Sequence, residues 1–371
     1  LEELSPEDRL RSRQPETNRE GIAADFTFAH RCSDRAIDFI QAHRDEDFLL
    51  VVSYDEPHHP YLCPEPYASM YADYEVPKSP AFYDDLRDKP AHQRVWSDGR
   101  CDIPLAEKQA QRLTGLGYYL GCNSFVDAEI GRVIEAVDTA CPEAFVIYTA
   151  DHGDALGAHG ITNKGPAMYD EITNIPLLAR WPGRAPAGSV CPHPVSHIDL
   201  VPTLLDFFEA PSAKVLEGQS LLPCLRDPGV RVNDAVFLEF GRYEIDHDGF
   251  GGFQPIRSIF DGRWKLTINL LSGDELYDLK RDPYELTNRI ESPDDAAIRD
   301  RLHDSLIDWM NRTRDPFRGT YWLNRPWRTD APTPTWDFTA ATRQREEDTR
   351  YEPRQLDYDT GLEMTEATRS K

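Results

Sequence analysis

Residues 144–170 read "AFVIYTADHGDALGAHGITNKGPAMYD". A β-branched apolar run of strand length stops abruptly at Asp151-His152-Gly153. Such a run, bounded by turn residues, predicts a strand covered on both faces. Outward from it, "FLLVVSY" (48–54) and "IPLLARW" (175–181) predict two more strands of the same kind. Helical spacing predicts helices over 24–43, 105–140 and 196–210; in the second, Phe125, Val126, Ile130, Val133, Ile134 and Val137 share one face. Ser196 or Asp199 is expected near the cap of the third, and Pro202 is tolerable in its first turn. Helices alternating with continuously apolar strands predict an α/β fold with a mostly parallel sheet flanked by helices. In such a sheet ligands collect outside the carboxyl ends of the strands. The loops after Tyr54 and after Ala150 both leave such ends, so they are expected to converge.

Beyond about residue 228 the texture changes. Short runs at 235–240, 256–260, 264–271 and 275–279, joined by Gly- and Asp-bearing turns, predict a smaller antiparallel sheet. A helix over 293–312 follows, with Ile298, Leu302, Leu306 and Trp309 on one face. The expected organisation is a catalytic α/β portion at 1–228, a small α+β domain at 229–318 and an extended tail at 319–371.

The 371 residues carry a formal net charge of −24, with 40% hydrophobic and 29% charged residues. The composition is that of a globular chain with a sizeable core. The charge disfavours nucleic acid and anionic membranes, and an anionic substrate requires a local positive pocket. No apolar run approaches the roughly 18 residues that a spanning helix needs. Seven scattered cysteines form no C-x-x-C pair, which reads as reduced thiols in a cytoplasmic protein rather than a disulfide framework or zinc site. Self-association is left open.

Asp151 and His152 at a strand end offer a carboxylate and an imidazole to a divalent cation; the alternative is an acid capping the next turn beside a surface histidine. Lys164 in "NKGPAMYD" suits an anionic oxygen as a point charge, or is a solvated loop lysine. His159, flanked by glycines, is either a pocket or a turn residue. His58 and His59 sit between prolines in "DEPHHP", a setting that suits a general acid. Asp55 and Glu56 are placed to keep either histidine protonated. A Cys63–His58 thiol pair is the weakest reading, since no oxyanion-hole pattern accompanies it.

Together, "YTADHGDALGAHG" and "NKG", preceded by "NSFVDAEIGRVIEAV" and "VVSYDEPHHPYLCP", resemble the type I sulfatases of the alkaline phosphatase superfamily. "VSHIDLVPTLLDF" and "WKLTINLLSGDELYDLKRDPYELTNRI" extend the resemblance from about residue 24 to 312, in the family's order. Uncharacterised bacterial sulfatases with the same "DEPHHP" loop are the most similar members. The resemblance implies that Asp151 and His152 are metal ligands, usually for Ca2+ and sometimes Mg2+ or Mn2+. It implies that Lys164 contacts the sulfate and the bridging oxygen, and that His58 protonates the leaving group. His159 falls where the family has a pocket histidine. Arg242, Tyr243, Glu244 and His247 in "GRYEIDHDGFGGF" either line the pocket mouth or form a structural turn. The family's nucleophile is a formylglycine made within C-x-P-S-R, and no cysteine of this chain has that context. The expectation is therefore a C-terminal portion of a sulfatase, inactive alone, whose partner segment supplies the formylglycine and the early acidic metal ligands. The expected substrate is a small sulfated sugar or aryl ester; the alternatives are a phosphonate monoester or phosphodiester hydrolase of the same superfamily and a non-catalytic anion-binding fragment.

Overall fold

The computed structural model describes residues 22–331, less 59–60, 76, 98–115, 162, 213–215, 243–252, 314, 316, 318 and 329. His59, His247 and the side chain of Arg242 lie outside the described residues, as do 1–21 and 332–371.

Helix α1 (Phe28–Ala42) starts where the Thr27 hydroxyl accepts the His30 amide at 3.2 Å. Its buried stripe, Ala29, Ser33, Ala36 and Ile40, has helical period and packs on α3 (Leu116–Ala140). Between them in sequence comes the short α2 (Ala91–Ser97). Segment 48–54 shows a strand's alternation, with Phe48, Leu50 and Val52 packed against Ile40 and Val133. Leu49 and Val51 face outward, at 56% and 79% exposure, and the segment has no ladder partner among the described residues.

The opening stretch supplies β1 (Val146–Thr149), which pairs with β2 (Leu177–Arg180). The pairing is antiparallel, with Val146 opposite Arg180 and Thr149 opposite Leu177. The described strands pair only antiparallel, so the expected mostly parallel sheet is not among the described pairings. Neither strand is covered on both faces among the described residues, since Tyr148 is 43% and Leu178 64% exposed. Helix α4 (Leu200–Phe207) follows, entered through the turn His197–Asp199, in which Ser196 and Asp199 form a capping box.

The expected C-terminal antiparallel sheet is present. Strands β3 (Val236–Arg242), β4 (Phe253–Phe260), β5 (Trp264–Asn269) and β6 (Glu275–Asp278) follow in simple order. Helix α5 (Ala296–Arg312) covers the sheet with Leu302, Leu306 and Met310 against Ile259, Leu266 and Ile268. Residues 319–331 are not simply extended. A helical turn at Thr320–Leu323 inserts Trp322 into this core, and Arg325 pairs with Asp274 at 2.7 Å.

A buried polar network joins this sheet to the segment after β1. Lys265 of β5 reaches Asp170 at 2.7 Å and Glu285 at 2.8 Å. Tyr169 donates to Gln93 at 2.5 Å, and Gln93 donates to Glu275 of β6 at 3.1 Å. Burial pushes the Glu285 carboxyl up to about 7, and the Lys265 ammonium opposes that only in part.

Candidate functional site

At the end of β1 the backbone is pinned before it turns. His197 Nε2 donates to the carbonyl of Ala150 at 2.8 Å. The Asp151 side chain is 85% exposed and its Oδ1 accepts the His152 amide at 2.8 Å. His152 Nδ1 lies 2.8 Å from the Gly153 carbonyl, which can only accept, so Nδ1 carries a proton. Nε2 then faces Asp151 Oδ2 across 3.3 Å. Two lone pairs at that separation repel unless a proton or a cation lies between them. This is the arrangement of a metal-ligating histidine, whose second nitrogen is held by a backbone carbonyl. The pair thus fits a divalent cation in donor type and orientation. It does not complete a coordination sphere, since among the described residues no group of three or more His, Cys, Asp or Glu is placed to hold an ion.

Gly153 has no substitute here: a Cβ would stand 2.0 Å from the Glu171 carbonyl oxygen, while its amide donates to Ile172 at 2.8 Å. The chain then loops back, closed by Ala155 N–H donating to Asn163 at 2.9 Å. Leu156, Gly157, His159, Gly160 and Asn163 all take positive φ within this loop. Lys164 leaves it half-buried, with no counter-ion among the described residues.

His58 is exposed on a strap, 55–68, that crosses the first turns of α3. Glu56 accepts the amides of Phe28 and Ala29 at 3.1 and 3.2 Å through one oxygen and so caps α1. Tyr61 packs edge-on against Tyr119 at 5.5 Å. Burial first, and the Asp154 carboxylate second, push the Tyr61 hydroxyl up to about 12. The same two influences come first and third for Tyr119, around its hydrogen bond to Asn123. The strap and the loop after Asp151 are therefore neighbours.

His159 stands apart from the exposed residues. It is 1% exposed, stacks on Tyr169 at 3.7 Å and approaches Asp84 Oδ2 at 2.8 Å. That is the interior of the polar network rather than a substrate-facing surface. His197 was not singled out from sequence; its signal was a histidine directly ahead of a capped helix.

Residues 5–210 match the Sulfatase family, and residues 157–312 match N-sulphoglucosamine sulphohydrolase, C-terminal. The chain belongs to the sulfatase family. This sulfatase-family chain is 45% identical over 342 residues to the uncharacterized sulfatase YidJ of Escherichia coli K12, a match covering 91% of this chain and 65% of that protein. It is 28% identical to the choline-sulfatase of Rhizobium meliloti, over 66% of this chain and 47% of that one. It thus spans less than two thirds of either relative's length. Among solved structures, the phosphonate monoester hydrolase of Silicibacter pomeroyi superposes with a TM-score of 0.66 at 25% identity, covering 78% of this chain and 61% of that one. Sulfatase structures superpose at similar scores and give the chain a sulfatase-like, alkaline phosphatase-type α/β fold.

Proposed function

We propose that this chain carries the metal-and-acid half of a sulfatase active site, acting on a small mono-sulfated sugar or aryl ester. The observation that carries the reading is the Asp151–His152 pair, its Oδ2 and Nε2 converging at the exposed end of β1. A bound divalent cation, Ca2+ in the first place and Mg2+ or Mn2+ otherwise, would neutralise charge on the sulfate oxygens. Asp151 and His152 would hold it together with ligands from outside this chain. Lys164 would place its ammonium against the sulfate and the bridging oxygen as charge develops there. His58 would donate a proton to the departing oxygen, a step worth roughly 10²–10⁴ in rate. Arg242 and His247 belong to the pocket mouth in this reading. The nucleophile, a formylglycine, comes from a sulfatase segment other than this chain. Net charge −24 argues for a small ester over a polysulfated chain.

The test is turnover of matched aryl sulfate and phenyl phosphonate esters, by this chain alone and by the chain joined to a segment bearing C-x-P-S-R. Sulfate turnover only in the joined protein, lost by about 10²-fold or more in His58→Ala, is expected. Turnover by the chain alone would refute an outside nucleophile. A preference for the phosphonate ester would favour the second reading, a phosphonate monoester hydrolase, which the Silicibacter superposition supports.

A further inference from the structure

The strap that carries His58 is held to α3 at a series of close contacts. A Cβ on Gly121 would lie 2.3 Å from the Tyr67 carbonyl oxygen, and one on Gly117 would lie 3.0 Å from that of Tyr71. Tyr71 and Ser124 share a hydrogen bond of 2.8 Å, and Tyr67 packs on Phe125 at 5.5 Å. At the centre of this seam are two cysteines. Cys63 from the strap and Cys122 from α3 are each 0% exposed and share one apolar cluster. The Cβ position of Gly121 is 3.4 Å from Cys63 Sγ, so the strap sulfur lies directly on the helix backbone beside Cys122. Neither is disulfide-bonded in the structure.

We propose that Cys63 and Cys122 are a thiol pair that closes to a disulfide by exchange with a small-molecule disulfide, locking the His58 strap to α3. Cys63 is the attacking sulfur, because the neighbouring Cys122 thiol favours its thiolate, whereas Cys63 and burial hold Cys122 protonated. The Cys63 thiolate attacks one sulfur of the small disulfide and expels one thiolate. Cys122 then gives up its proton and attacks the Cys63 sulfur of the mixed disulfide, expelling the second thiol. Two protein thiols are oxidised and one small disulfide is reduced to two thiols. Because both sulfurs are buried, exchange proceeds when the strap lifts, and the product then holds it down. The pairing does not depend on the reaction assigned to the site.

The experiment is incubation of the folded chain with oxidised glutathione. It is followed by acid quench, alkylation in denaturant, digestion and mass mapping. A single linked peptide pair containing Cys63 and Cys122, reversed by dithiothreitol, is expected. The thermal midpoint should rise by roughly 5 °C on oxidation. Cys122→Ala should stop at a glutathione adduct on Cys63, whereas Cys63→Ala should leave Cys122 unmodified. Recovery of both cysteines as alkylated thiols, or linkage of Cys63 to other cysteines as often as to Cys122, would overturn the proposal.

Discussion

Asp151 and Lys164 lie exposed and half-buried around the end of β1, as their neighbours in sequence announce, but His159 does not. An acid and an imidazole at the end of an apolar run are legible because a strand end is where a parallel or antiparallel sheet delivers side chains to solvent. His159 looks like a turn histidine from its flanking glycines. Its burial is decided by Asp84, 75 positions earlier, and by the Tyr169 ring. Replacing His159 with alanine leaves Asp84 with Lys89 at 3.8 Å as its ion-pair partner and opens a gap under Tyr169. The expected cost is roughly 1–3 kcal/mol, read as a lower urea midpoint. A variant as stable as the parent that bound substrate more weakly would return His159 to the pocket.

At the level of elements, the strap and α3 illustrate how a loop without periodicity becomes rigid. Nothing in "DEPHHPYLCPEPY" marks it as packed, yet Tyr61, Cys63 and Tyr67 all lie against one helix face. The helix admits the strap because position 121 has no side chain. Gly121→Ala should push the Tyr67 backbone away and cost about 1–3 kcal/mol, detectable in the denaturation midpoint. Because the strap positions His58, proton donation should suffer while metal binding does not. Unchanged stability in that variant would mean that the strap is not seated as described. The same scale shows why "FLLVVSY" reads as a strand but pairs with nothing described: pattern encodes which side chains are buried, whereas a ladder needs a second chain segment at hydrogen-bonding distance. Cysteine spacing misleads for a related reason. The residues look scattered in sequence, although burial brings Cys63 to Cys122 and Cys191 to Cys224, whose thiol burial and that contact push up to about 11.

For the whole molecule, one contribution to acid stability comes from a buried histidine on α5. His303 on α5 is 0% exposed, and its Nε2 donates to the Trp322 carbonyl at 2.7 Å while Arg328 faces Nδ1 at 3.3 Å. Burial lowers its pKa to about 4 from 6.5. Its folded-state pKa is depressed, so the unfolded chain binds the extra proton. Stability is therefore full above about pH 6.5 and falls as pH drops toward 4, by about 3 kcal/mol. Because Glu285 slopes the other way over much of that window, the His303 contribution is read as the difference between thermal melts of the parent and of His303→Gln, which should widen as pH rises from about 4 to 6.5; no pH-dependent difference would remove His303 as a cause. Glu285 works in the opposite sense: its raised pKa means its contribution is present below about 4.5 and declines as pH rises through about 7. The sequence by itself determined the period of each helix, the C-terminal antiparallel sheet and the place of Asp151 and His152 at a strand end, because these follow from short-range spacing and residue type. Strand direction, the interior place of His159, the His197 pin on Ala150 and the thiol pairing were decided only by tertiary structure, since each depends on which distant backbone arrives beside it.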